Sequence, residues 1–149
     1  MTSTKRYMRS GRARQLPEPH PVTFFLDRGL GRHYVADMLR KAGHVALPMA
    51  DVYPNGRDQE IGDDEWIAYA SAQGWVALTK DVAVVRGHAP ALATSTLRVF
   101  ALNNANVGGK EMAERYRVNL GRIVRCSQRV GPYLYVVGAT GIERRWPKD

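Results

Sequence analysis

Short apolar runs alternate with stretches of helical period along most of this chain, and that alternation restricts the fold more than any other feature. Val22 to Leu26 is the first run, and Asp27-Arg28-Gly29-Leu30-Gly31 turns the chain out of it. A helix is predicted from Arg32 to Ala42, with Val35, Met38, Leu39 and Ala42 on one face and Gly43 as its stop. His44 to Leu47 is a second strand, limited by Pro48, and Tyr53 to Glu60 is a polar loop. The next helix opens at Asp63, a favoured capping residue, buries Trp66, Ile67 and Ala70, and stops at Gly74. Trp75 to Leu78 is a third strand, Val82 to Arg86 a short helix, Gly87 to Ser95 a loop, and Leu97 to Leu102 a fourth strand. Lys110 to Cys126 is a long helix, and Tyr133–Val137 with Ile142–Trp146 forms a terminal hairpin. This order predicts an α/β fold: a three-layer α/β/α domain on a mainly parallel sheet, with the hairpin as an antiparallel edge.

The 149 residues suffice for one domain with a real core, expected over residues 22–149. Residues 1–21 read as a flexible basic tail, in which Lys5, Arg6, Arg9, Arg12 and Arg14 precede Pro17, Pro19 and Pro21. No apolar stretch approaches the roughly 20 residues of a membrane span, and the basic N-terminus has no apolar core of a secretory signal. The single Cys126 excludes an internal disulfide, and no Cys or His pair has zinc spacing. The expected location is cytoplasmic. The formal charge is +8 and arginine dominates the basic residues. Arginine binds phosphate bidentately and stacks on bases, which fits a nucleic-acid partner as well as a merely soluble surface.

Three acidic positions carry the strongest chemical signal. Asp27 ends the first strand, Asp81 follows the third, and Asp63-Asp64-Glu65 opens the helix between them. Singly, each has a structural explanation as a turn or capping residue. Together, on neighbouring parallel strands, they gather at the carboxyl edge, where ligands of open α/β sheets bind. Carboxylates crowded there repel unless a hard cation joins them, so a Mg²⁺ or Mn²⁺ site is expected. Such an ion polarises a scissile phosphate and activates water against it.

Other residues surround this edge. Thr79 is either a β-branched strand residue or a hydroxyl that orients the metal ligands. Lys80, Arg28 and Arg32 are candidate phosphate contacts, and Gly29 and Gly31 would allow close backbone approach. Asn103, Asn104 and Asn106 follow the fourth strand and could supply a neutral ligand, or serve as turn formers. His20, His33, His44 and His88 share no helical or strand spacing and are expected on surfaces or loops. The C-terminal arginines, Arg115, Arg117, Arg122, Arg125, Arg129, Arg144 and Arg145, suggest a basic surface suited to an RNA backbone.

Phe25-Leu26-Asp27-Arg28-Gly29-Leu30-Gly31, then Asp63-Asp64-Glu65-Trp66-Ile67, then Leu78-Thr79-Lys80-Asp81 resembles the PIN-like domains, including VapC-type toxins of type II toxin–antitoxin systems. The resemblance covers about residues 22 to 106. It implies a PIN-like α/β/α fold, a Mg²⁺ or Mn²⁺ site, and endoribonuclease activity through a metal-activated water. By resemblance Asp27, Asp63 and Asp81 are catalytic, and Asp27, Asp63 or Asp64, and Asp81 are metal ligands. RNA, a cognate antitoxin and a homodimeric mate are the implied partners. The chain departs from the family pattern in two ways. The middle acids sit at a helix start rather than within the helix, and no fourth acid follows Asp81.

Two other readings compete. A PIN-like module could hold RNA or protein without cutting it. A receiver-like phosphorylation domain shares aspartates, Thr79 and Lys80, but there the threonine, lysine and aspartate lie on separate strands. A haloacid-dehalogenase-type phosphatase is disfavoured by Gly29, where a second acid is needed.

Overall fold

A computed structural model describes residues 21–147. The basic tail expected before Pro21 lies outside the described residues apart from that proline. Six strands form one sheet in the order β2-β1-β3-β4-β5-β6. They are β1 (Thr23–Leu26), β2 (Val45–Pro48), β3 (Val76–Thr79), β4 (Arg98–Leu102), β5 (Tyr133–Val137) and β6 (Ile142–Trp146). All neighbouring pairs are parallel except β5 with β6. The mainly parallel sheet with an antiparallel C-terminal hairpin is as the alternation predicts.

The helices are α1 (Tyr34–Lys41), α2 (Met49–Val52), α3 (Asp63–Gln73), α4 (Val82–Arg86), α5 (Ala89–Ala93) and α6 (Gly109–Cys126), with 3-10 turns at Arg28–Leu30 and Arg57–Gln59. Period-2 alternation along the strands divides the core in two. Phe24, Leu26, Val76, Leu78 and Phe100 face Val35, Leu39, Tyr116 and Ile123 of α1 and α6. Phe25, Ala77, Val99 and Ala101 face Trp66, Ile67, Ala70 and Leu92 of α3 and α5. The sheet is therefore covered on both faces, as a parallel sheet must be. Phe25 anchors the second layer by stacking on Trp66 with centroids 5.3 Å apart.

Two local expectations need correction. Gly87 to Ser95 is not all loop, because Ala89–Ala93 forms α5. Pro90 lies in the first turn, where its missing N–H is no loss, and Leu92 with three alanines makes up the rest. Asp63 does not cap α3. Gly62 occupies the N-cap, and Asp63 is the first helical residue, with its carboxylate engaged elsewhere. At the far end Gly74 stops α3 in a left-handed conformation (φ 74°), as expected.

After β1 the chain runs outward to β2, then crosses back to β3 on the other side of β1. The strand order thus reverses between β1 and β3, and a crevice opens at their carboxyl ends. The acidic residues lie at this reversal.

Candidate metal and phosphate site

Asp27 is fixed by the β1–β3 pair. Its N–H donates to the Leu78 carbonyl at 3.0 Å, which extends the ladder one residue past β1. Its carboxylate accepts the Thr79 hydroxyl at Oδ2 (2.8 Å) and the Arg28 N–H at Oδ1 (2.6 Å). Asp27 is only 8% exposed. Burial pushes its carboxyl above the ordinary range, and the nearby Asp63 charge pushes the same way. The Thr79 and Arg28 hydrogen bonds and the Arg28 charge oppose that rise.

Thr79 is fully buried. It completes β3, and its Oγ1 also lies 3.4 Å from the Asp81 N–H. One hydroxyl therefore links the two strand-end aspartates. Beneath it, the Tyr116 hydroxyl lies 2.9 Å from both the Thr79 and Phe100 carbonyls. Burial first, and the Asp27 charge second, hold this phenol well above its usual range. It is a neutral floor for the site.

Asp63 faces the same crevice. The indole N–H of buried Trp66 donates to its Oδ1 at 2.8 Å. Its Oδ2 lies 3.2 Å from His88 Nε2. Asp64, one residue on, is largely exposed and contacts His88 Nδ1 at 2.6 Å. Asp81 accepts the Ala83 N–H at Oδ1 (2.8 Å), in the manner of a cap for α4. The sequence places His88 on a surface or loop, and it stands partly exposed just before α5. Its only signal was position, a few residues after Asp81 in the segment that follows the acidic strand end.

The other expected residues are placed as follows. Arg28 donates to the carbonyls of Asp58 (Nε, 3.0 Å) and Ile61 (3.1 Å), pinning the loop before α3. Arg32 pairs with Asp51 at 2.8 Å on an exposed surface. Asn103 accepts from Arg115 at 2.9 Å, which ties the end of β4 to α6. Lys80 lays its stem over Gly29. A Cβ at Gly29 would stand 2.9 Å from Lys80 Cγ, Cδ and Cε, so a side chain there would push the stem aside. Lys80 is thereby held at the carboxyl edge, between Thr79 and Asp81 in sequence.

The donors suit a hard divalent cation: Asp27 and Asp63 are close enough for their charges to interact, and each is oriented by a hydrogen bond from a buried side chain. Among the described residues, however, no three His, Cys, Asp or Glu side chains already stand together as a complete metal cluster. Nor, among the described residues, is any helix long and apolar enough to cross a membrane.

A family model described as "PIN like domain" matches residues 22–104, the segment that carries Asp27, Asp63 and Asp81. The curated Mycobacterium tuberculosis protein named "Putative ribonuclease VapC45" is 30% identical over 122 residues, covering 80% of this chain and 88% of that protein. No solved structure matches the chain. With the family match over more than half its length and a VapC relative along most of the rest, the chain belongs to the PIN-like domain family as a VapC-type member.

Proposed function

We propose that this protein is a divalent-metal-dependent endoribonuclease, the toxin of a type II toxin–antitoxin pair. The observation that carries the reading is the buried Asp27 carboxylate, oriented by Thr79 and facing the charge of Asp63 at the strand reversal. The relative named as a ribonuclease supports the choice of RNA as substrate.

In this reading Asp27, Asp63 and Asp81 would hold the ion, Mg²⁺ or Mn²⁺. The ion, when bound, supplies Lewis-acid polarisation of the scissile phosphate. The protein's own groups do the rest. Thr79 and Trp66 keep the Asp27 and Asp63 carboxylates oriented, so little reorganisation is needed when substrate arrives. Lys80, steadied over Gly29, meets a phosphate oxygen of the RNA backbone. Arginines of α6 and the β5–β6 hairpin supply a more diffuse attraction for the polyanion. A cognate antitoxin and self-association into a homodimer complete the proposal, and light scattering with and without the antitoxin tests the latter.

One observation favours a second reading, a PIN-like module that binds RNA or protein without cutting. The three acids do not form a ready cluster among the described residues. The discriminating experiment incubates the purified protein with total cellular RNA, with and without Mn²⁺ or Mg²⁺, beside Asp27→Asn and Asp81→Asn. Discrete metal-dependent fragments that vanish in both variants support the nuclease. Retained RNA binding without cleavage under either ion rejects it in favour of the binding module.

A further inference from the structure

We infer that the recess between α1 and α6 is a subsite for one unpaired base of the RNA, with Tyr34 as its stacking surface. The inference rests on the RNA-cleaving reading above and adds to it a residue outside the expected phosphate contacts.

Tyr34 is the first residue of α1 and is 53% exposed. The other described tyrosines are held by the fold. Tyr53 packs on Tyr69 and Tyr133 on Tyr135, and the Tyr116 hydroxyl bonds backbone carbonyls. Among the described residues the Tyr34 side chain has neither a ring neighbour nor a hydrogen-bond partner. One side of its ring lies against Gly109, the first residue of α6, where a Cβ would come within 2.5 Å of Cδ2. The glycine lets the ring settle on α6, and the remainder stays open to water. A flat ring held on one side and wet on the other gains by stacking a base, because both lose exposed apolar area.

Position gives that ring its use. α1 follows β1 and α6 follows β4, so Tyr34 and Gly109 stand at the carboxyl edge that carries the acids. A recess of about 530 Å³ opens beside the ring between the two helices. Tyr34, Met38 and Lys41 line it at helical spacing along α1, and Arg117 and Leu120 line it from α6. The apolar wall suits the face of a base, and the two cations suit the phosphates on either side of it. Arg117 also pairs with Glu114 at 2.6 Å, but the pair is exposed and of small worth, so a phosphate can replace it. Asp37, on the same wall, only accepts hydrogen bonds. It suits an amino group on a base edge and leaves the phosphates to Lys41 and Arg117. A polyanionic strand is matched to this chain of formal charge +8 better than a second copy of the chain is. A base stacked within a duplex cannot enter such a recess, whereas an unpaired one can.

The test uses the full chain and short single-stranded RNAs in which a fluorescent aminopurine is moved one position at a time, beside hairpins that pair the same bases. Anisotropy and fluorescence are read in chelator and again with Mn²⁺. One aminopurine position is expected to be quenched on binding, and the paired strands should bind more weakly. Tyr34→Leu keeps an apolar wall and removes the flat ring. It should weaken the single strand about fivefold or more and abolish the quenching, while Tyr34→Trp retains both. Gly109→Ala, which displaces the ring, should weaken binding in the same direction, and Lys41→Ala should lower the salt slope by about one. In the cleavage assay Tyr34→Leu should raise KM and leave kcat within about twofold. Circular dichroism checks that each variant is folded. Unchanged affinity in folded Tyr34→Leu, or equal binding of paired and unpaired bases, overturns the inference, leaves the nuclease standing and gives the recess to a protein partner. Failure of the wild type to bind RNA under either condition overturns both.

Discussion

Thr79 and Asp27 are joined side chain to side chain across the β1–β3 pair, the hydroxyl donating to Oδ2 at 2.8 Å from a fully buried position. Because parallel register sets Leu26 beside Leu78, the next residues, Asp27 and Thr79, come level. The bond is a consequence of strand pairing, and it orients the most buried acid of the site.

Removing that hydroxyl leaves a buried carboxylate oxygen short of a donor. Thr79→Val should destabilise the protein by about 1–3 kcal/mol and lower RNA cleavage, while Thr79→Ser retains most of both. Urea denaturation and a cleavage assay on the two variants check this. Equal loss in serine and valine would assign Thr79 to strand packing alone.

Asp27 has the opposite sign to most native carboxylates. Its folded pKa is raised above the ordinary 3.8, chiefly by burial, so the folded state holds the proton more tightly than the unfolded chain. The stability that this group contributes is full below the unfolded value and is lost as pH rises through the folded one. Asp27→Asn should therefore raise the melting temperature at pH 7, by more than it does near pH 4, while abolishing cleavage. Adding Mn²⁺ should stabilise the wild type and not the variant. Melting curves across pH 4–8 decide it; an advantage that shrinks with rising pH would contradict the assignment.

Trp66 both fills the core and holds an acid. Trp66→Phe keeps a ring near Phe25 but loses the N–H to Asp63. Its stability cost should be modest, about 1–2 kcal/mol, because Asp63 is partly exposed to water. Its Mn²⁺ affinity should fall about tenfold. Unchanged affinity in a destabilised variant would restrict Trp66 to packing.

Gly29 has an ordinary φ, and a side chain there would meet the Lys80 stem. The obstructing atoms belong to a flexible stem, so Gly29→Ala should cost under about 1 kcal/mol in stability while displacing the ammonium. RNA affinity should drop as it does in Lys80→Ala, and the double variant should be no worse than either single one. Fluorescence anisotropy with a short RNA gives the cycle; additive losses would separate the two residues.

The arginines near Asp27 show where sequence reading reaches its range. Arg28 reads as a phosphate contact because it adjoins a strand-end acid, yet its guanidinium serves carbonyls 30 and 33 residues away. Arg32 likewise meets Asp51. A side chain's partner depends on which loop folds over it, and a local pattern carries no record of that. The α5 helix was missed for a related reason: five residues with a proline lack enough period to register, and packing of Leu92 against the second core supplies what propensity does not.

What the sequence determined by itself was set by short-range physics. Apolar runs became strands, glycine at position 74 ended α3, and Asp27 and Asp81 followed strands that proved to be neighbours separated only by the ladder. Tertiary structure decided the partners of two of the acids. Asp27 took the Thr79 hydroxyl from 52 residues away and Asp64 a histidine 24 residues away, whereas Asp63 and Asp81 kept donors three and two residues on. Backbone pattern fixes where a side chain begins. Which way it points is settled by whichever distant donor, ring or charge the crossovers bring within about 3 Å, the reach of a hydrogen bond.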